Sequence, residues 1–343
     1  MSQTTLTLEQ AADNAMNLAR VRPTRSLWSN AWRQFRKHRL AMVGLVVFLF
    51  LILAVLIGPL LWPGQVNDPF AYNTGERPSF IVDAENVTFD GPTCVEPKTS
   101  GNCVGHPMGT DSLGQDILAR ILYGGRISIA VGLVAAFVAI SLGTIIGAIA
   151  GFFGGFVDSL LMRITDLFIS LPNLPLLLLI TFLFKESMQD FAEERFGSRN
   201  FGVFLLVVLV IAILAWMPTA RLVRASFLSV KEKEFVEAAK SIGATRGTMI
   251  GKHILPNVLS PIIVAATLEI GGAIITESAL SFLGLGFPSD VPTWGQMLFQ
   301  AKDYLELYPH EALFPGTLIF LTVLSVNYIG DGLRDALDPR KIS

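Results

Sequence analysis

The chain has 343 residues, 52% of them apolar and only 16% charged, with a formal net charge of -2 at pH 7 and a mean hydropathy of +0.54. That balance excludes a soluble domain of ordinary composition and predicts an all-α membrane protein. The net charge points to no partner; the placement of the charges does.

Residues 1–24 have no periodic apolar face and are expected to form a mobile cytoplasmic tail. In residues 25–39, Trp28, Trp32 and Phe35 fall at i, i+4 and i+7 among Arg33, Arg36, Lys37 and Arg39, which predicts an amphipathic helix at the membrane interface. The first charge-free run, 40–62, follows, and it is too long for a signal-peptide core. Residues 63–125 read as an external loop with eight acidic and three basic residues and both cysteines of the chain. Cys94 and Cys103 are separated by eight residues on the side where disulfides persist. A bridge between them would constrain the loop by ~2–3 kcal/mol; two free neighbouring thiols are the alternative.

Further charge-free runs cover 127–153, 167–184, 201–220 and 312–330, and 254–287 is interrupted only by Glu269 and Glu277. Each is about the ~20 residues a helix needs to cross a hydrocarbon core. No run alternates as barrel strands do, so six transmembrane helices are predicted. Gly143, Gly147 and Gly151 recur every fourth residue and predict a closely approached helix face. Pro172 and Pro175 are expected to kink the third span and Gly271-Gly272 to loosen the fifth. Glu269 and Glu277 have no matching intramembrane Lys or Arg; a translocation path and helix packing are both open readings for them. Taking 154–166 as a turn, the side holding both termini and the 221–253 loop carries 18 Lys and Arg against seven on the other, so both termini are predicted to be cytoplasmic.

In the 221–253 loop, Phe235, Ala239 and Ile242 fall at i, i+4 and i+7 and predict one compact apolar face on a short helix, with Lys233, Glu237 and Lys240 in water. Gly243 would let the chain turn out of it. Such a helix suits the groove of a partner. The chain holds no engine of its own. Gly247 to His253 is too short between glycines for a phosphate loop and ends in His instead of Ser or Thr. No catalytic constellation is present, and the four scattered histidines make no metal site.

The order Glu237-Ala238-Ala239, Gly243, Leu255-Pro256 resembles the C-type permease subunits of the dipeptide and oligopeptide group of ATP-binding cassette importers. So do His106 to Asp111, Gly114 to Asp116, Gly124 to Ser128, Gly154 to Asp158 with Met162-Arg163, Ser281 to Gly286 with Trp294-Gly295, and Gly330 to Pro339. Gln115 stands where that family usually has Arg.

The resemblance implies a type I importer fold in a bacterial plasma (inner) membrane, with the transport domain in 126–335 and a cytoplasmic tail in 336–343. It implies a heterodimer with a homologous second permease, two cytoplasmic ATPases that bind ATP and magnesium, an external substrate-binding protein, no cofactor in this chain and no nucleic acid. Phe235, Glu237, Ala238, Ala239, Ile242, Gly243, Leu255 and Pro256 would couple the ATPases to the spans, the coupling helix covering 234–245. Peptides are the expected cargo, with nickel, glutathione or an oligosaccharide as alternatives. A secondary transporter is a remote rival, because the bundle lacks coupling charges and a clear inverted repeat.

Overall fold

The computed structural model of the protein describes residues 27–62 and 106–337. The tail 1–24, Cys94, Cys103 and the residues from 338 onward lie outside the described residues. Among the described residues the chain is helical, with one isolated bridge between Thr110 and Asp116.

The order is α1 (Leu27–Lys37), α2 (Arg39–Leu61), α3 (Ile117–Phe153), α4 (Gly155–Ser170), α5 (Asn173–Phe196), α6 (Arg199–Lys231), α7 (Glu234–Ser241), α8 (Arg246–Thr248), a π turn (Met249–Ile254), α9 (Leu255–Phe282), α10 (Trp294–Ala301) and α11 (Pro309–Leu337). Five spans are long and apolar enough to cross a membrane, with α8, the π turn and α9 as one. The bent pair α4 and α5 makes the sixth if it counts as one crossing.

Four sequence expectations need correction. The second span does not begin at 127: α3 starts at Ile117, capped by the Asp116 carboxylate, which accepts from Ala119 N at 2.9 Å. Charge misplaced that boundary, because Arg120 is buried and paired inside the protein. Residues 154–166 are not a turn but most of α4. The third span is broken, not kinked: α4 and α5 meet at 88°. Pro172 forces Leu171 into an extended conformation (φ -77, ψ 142) and has no N–H to continue the helix. Gly271-Gly272, in contrast, leaves α9 unbroken.

The glycine repeat behaves as expected. Gly143, Gly147 and Gly151 lie directly against α6, the most buried of the spans. A Cβ at Gly147 would sit 2.4 Å from the Ala220 carbonyl oxygen, a backbone atom that cannot move without its helix. Gly147→Ala is therefore expected to destabilise the protein by ~1–3 kcal/mol, read as a lowered unfolding temperature in detergent. Beyond this seam, Val131, Ala135, Val207, Ile211, Ala273 and Leu280 join α3, α6 and α9 in one apolar core.

A backbone group freed inside α2 finds a partner, as lipid requires. Pro59 lies inside α2 and cannot donate to the Val55 carbonyl four residues earlier. Arg126 does so from α3, with Nε donating to Val55 O and Nη2 to Leu56 O, both at 2.7 Å.

The helix expected in 25–39 is present as α1, but Phe35 lies on its protein-facing side. With Ala31 it is buried against Ala41 and Ala336, flanked by Leu333 and Leu337, so α1 is seated on the end of α11.

Candidate functional site

The chemistry-bearing residues gather at the two ends of the bundle. At the end that carries most Lys and Arg, α7 is a helix of eight residues with Glu234 and Glu237 in its first turn and Lys240 in its last, matching the helix dipole. Its C-terminus closes in a Schellman turn: Gly243 N donates to Lys240 O and Ala244 N to Ala239 O, both at 3.0 Å. Gly243 has φ +85, and open space surrounds the position of a Cβ. Its requirement is conformational, not steric. Gly243→Ala is expected to cost ~1 kcal/mol locally, seen as faster hydrogen exchange at the 243 and 244 amides.

The apolar face differs from the expected one by one position. Val236 and Ala239 point into the protein, whereas Phe235, Ala238 and Ile242 form the outward stripe at i, i+3 and i+7. Ile242 is 87% exposed. The reason is Val236, which joins a cluster with Met249, Ile254 and Val258 and with Val223, Phe227 and Val230 of α6. Once Val236 is seated there, Ala239 follows on the same side.

The path from α7 to the span is continuous. Thr245 caps α8 by accepting from Thr248 N at 3.3 Å, and the π turn runs straight into α9. Pro256, in the first turn of α9, cannot donate to the carbonyl of Lys252, and the wider π winding accommodates that missing bond. The neighbouring His253 carbonyl accepts from Asn257 Nδ2 at 2.7 Å. Leu255 packs at the edge of the same cluster. Two arginines of α6 bind the carboxylates of α4 beside this region: Arg224 forks onto Asp158 and Arg221 pairs with Asp166.

At the opposite end, a buried polar cap was not assembled by sequence reasoning, although His106 to Asp111 and Gly114 to Asp116 had marked the loop. Asp111 Oδ1 accepts from Leu113 N and Gln115 N at 2.9 and 2.8 Å, and its Oδ2 accepts from Arg120 Nη1 at 2.9 Å. Arg120 Nη2 donates to Gln300 Oε1 of α10 at 2.6 Å. Asp116 Oδ2 accepts from Trp62 Nε1 at 3.1 Å and lies 2.9 Å from His106 Nδ1. One small cavity is lined by Asp111, Arg120, Gln300 and Glu311. The cap thus ties the end of α2, the start of α3, α10 and the start of α11 together.

Glu277 sits beneath it, fully buried. It accepts from Ser281 Oγ at 2.9 Å, with Ser278 Oγ at 3.5 Å and the Ser128 and Thr293 hydroxyls also directed to it. Ser128 Oγ in turn accepts from Trp294 N and Thr293 Oγ1 from Gln296 N. Glycine makes this closeness possible: a Cβ at Gly286 would lie 2.1 Å from Ser281 Oγ, and one at Gly295 2.6 Å from Ser278 Cα. Such a network locks α3, α9 and α10 and favours the packing reading of Glu277. Glu269, half-buried on α9, has no hydrogen bond or ion pair among the described residues.

The chain is similar to known proteins. Residues 143–343 match the model of the binding-protein-dependent transport system inner membrane component family, and 26–78 match the N-terminal TM domain of oligopeptide transport permease C. The glutathione transport system permease protein GsiD of Escherichia coli O6:K15:H31 (strain 536 / UPEC) is 38% identical over 331 residues, covering 96% of each chain. Its namesake from Shigella boydii serotype 4 (strain Sb227) is 37% identical over the same span. Among solved structures, a chain of the inward-facing MetNI methionine ABC transporter superposes with a TM-score of 0.50 at 20% identity, covering 65% of this chain and 96% of that one. It is a likeness of fold.

Proposed function

This chain belongs to the family of binding-protein-dependent transport system inner membrane components, and on that premise we propose that glutathione is the solute it passes. It is a multi-pass inner-membrane permease subunit of an ATP-binding cassette importer with the type I fold, the non-catalytic part of an assembly that includes another permease, ATPases and a binding protein. The observation that carries the cargo is the 38% identity to GsiD, sustained over 96% of both chains. That kinship favours glutathione over the dipeptides and oligopeptides expected from sequence motifs. The match of 26–78 to an oligopeptide permease domain supports short peptides as the second reading.

In this reading the second permease is a different, homologous chain, and two cytoplasmic ATPases bind ATP and magnesium. Both termini are cytoplasmic, supported by the 17 Lys and Arg of the N-terminal segment, the 221–253 segment and the C-terminal tail against seven on the other side. An ATPase grips the outward stripe Phe235, Ala238 and Ile242, with Glu237 at its edge. Val236 and Ala239 hold the other side of α7 to the inner ends of α6 and α9. Gly243 sets the turn between α7 and α8, and Leu255 and Pro256 pass the movement into α9. A seated helix moves as a body, so closure of the ATPases switches the packed spans between two arrangements.

The test is uptake of labelled glutathione by vesicles containing the complete transporter with its binding protein. ATP-dependent uptake that excess unlabelled glutathione suppresses and dialanine does not is the expected result. Dialanine uptake that glutathione leaves untouched would transfer the cargo to the peptide reading.

A further inference from the structure

We propose that the outer face of α1 binds the anionic phospholipid headgroups of its leaflet and thereby clamps the inner end of α11. Its placement at the cytoplasmic leaflet rests on the orientation proposed above; the identity of the cargo does not enter.

With only 11 residues, α1 would be marginal on its own. One face holds it to the protein. Ala31 and Phe35, at i and i+4, are buried against Ala41 of α2 and Ala336 of α11. The fit at Gly332 is close: a Cβ there would lie 2.2 Å from Ala41 Cβ and 2.9 Å from Phe35 Cε2. Where the backbone breaks after α1, His38 caps α2, its Nδ1 accepting from Ala41 N at 3.1 Å.

The opposite face is basic. Arg33, Arg36 and Lys37 fall at i, i+3 and i+4, and Arg39 continues them across the break. All four are exposed, and none has a hydrogen bond or ion pair among the described residues. From Leu27 to Trp62 there is no Asp or Glu. Trp32, half exposed between the two faces, stacks on Phe35 with ring centroids 5.8 Å apart. Indole rings favour this headgroup depth.

The surface that adjoins this face fits lipid better than another helix. Val46, Phe50, Leu53, Ile57 and Leu60 run exposed down α2 directly beyond it. Helices that pair in membranes present small residues for close approach, and this stripe is entirely bulky. Each Lys or Arg near an anionic leaflet strengthens attraction to it by about fivefold, so four in a segment with no Asp or Glu make a surface that discriminates between anionic and zwitterionic lipid. Bound headgroups would fix α1, and through Phe35 and Gly332 the inner end of α11. Gly330 carries the constraint to α9, where its Cβ would lie 2.6 Å from Thr267 Oγ1.

The test compares the complete transporter in nanodiscs of phosphatidylcholine alone and with about 30% phosphatidylglycerol. Hydrogen exchange over 27–40 is expected to be at least about tenfold slower with the anionic lipid. That protection should vanish in about 1 M salt and in the R33Q/R36Q/K37Q/R39Q variant. Equal exchange of the unaltered chain in both lipids, or protection that persists in high salt, overturns the proposal even if the variant does not assemble. Neither outcome bears on glutathione uptake, which is measured separately.

Discussion

Ile242→Asp is expected to lower ATP-driven uptake at least about tenfold while leaving the amount of protein in the membrane unchanged. Ile242 closes the C-terminal end of α7 and is 87% exposed, so its side chain contributes almost nothing to the packing of its own chain. In the proposed complex it is covered by the ATPase. Burying such a side chain is worth ~1.5–3 kcal/mol, and a carboxylate in its place would also have to be desolvated. The loss exceeds one decade of affinity at 1.4 kcal/mol per decade.

Phe235→Asp should act in the same sense through the same stripe. Ala239→Asp would not be a clean probe. Ala239 is 5% exposed and faces inward beside Val236, so its substitution would unseat α7 from α6 and α9 as well. The measurement is co-purification of the ATPase subunits together with vesicle uptake. Normal uptake with undiminished ATPase retention in the Ile242 variant would remove α7 as the docking element.

At the other end of the bundle, Arg120→Met is expected to destabilise the protein by ~3–5 kcal/mol. The guanidinium is 1% exposed and is the cation between Asp111 and Glu311 in the small cavity they share. Met would fill much the same volume but leave the two carboxyls facing each other without a counter-charge. Gln300 would lose its 2.6 Å donor as well. Because the cap joins α2, α3, α10 and α11, its failure should lower the unfolding temperature of the whole domain by more than about 5 °C. The triple variant with Asp111→Asn and Glu311→Gln should recover part of the loss, since it removes the stranded charges. A full loss retained in the triple variant would mean that the pairing is not what makes Arg120 costly to remove.

The spans were legible because hydrocarbon imposes a requirement that every turn of a crossing helix repeats. Runs such as 201–220 and 312–330 therefore announce themselves in any charge count. The glycines at 143, 147 and 151 were legible for a similar reason, being periodic on one helix. Boundaries failed where charged groups pair with residues that only folding brings near. Arg120 looked like loop because its partner Asp111, nine positions away, meets it only after the chain has turned. The same holds for α4, where Asp158 and Asp166 are neutralised by Arg224 and Arg221 from more than fifty residues onward.

In the 221–253 segment the motif located the start of α7, but the helix ends at Ser241 where the expectation ran to 245, and its rotation was not legible. Helical periodicity alone allowed Ala239 to share a face with Phe235 and Ile242; the seat that Val236 finds among Met249, Ile254 and the α6 valines selects Ala238 instead. Glu277 is a second case. Composition could say only that a carboxyl lay within a span, and the hydroxyls that hold it arrive from Ser128 on one helix and Thr293 on the loop before another.

By itself, then, the sequence determined the membrane class, the approximate spans, the asymmetry of basic charge and the place of α7. Each follows from local composition or period, and from the cost of exposing polar backbone and charge to lipid. Only the tertiary structure decided which residues of α7 remain available to a partner, that the third span breaks by 88°, and that the buried charges at the far end close a cap. Those properties depend on which groups meet across the bundle, and pairing between distant positions leaves no periodic trace along the chain.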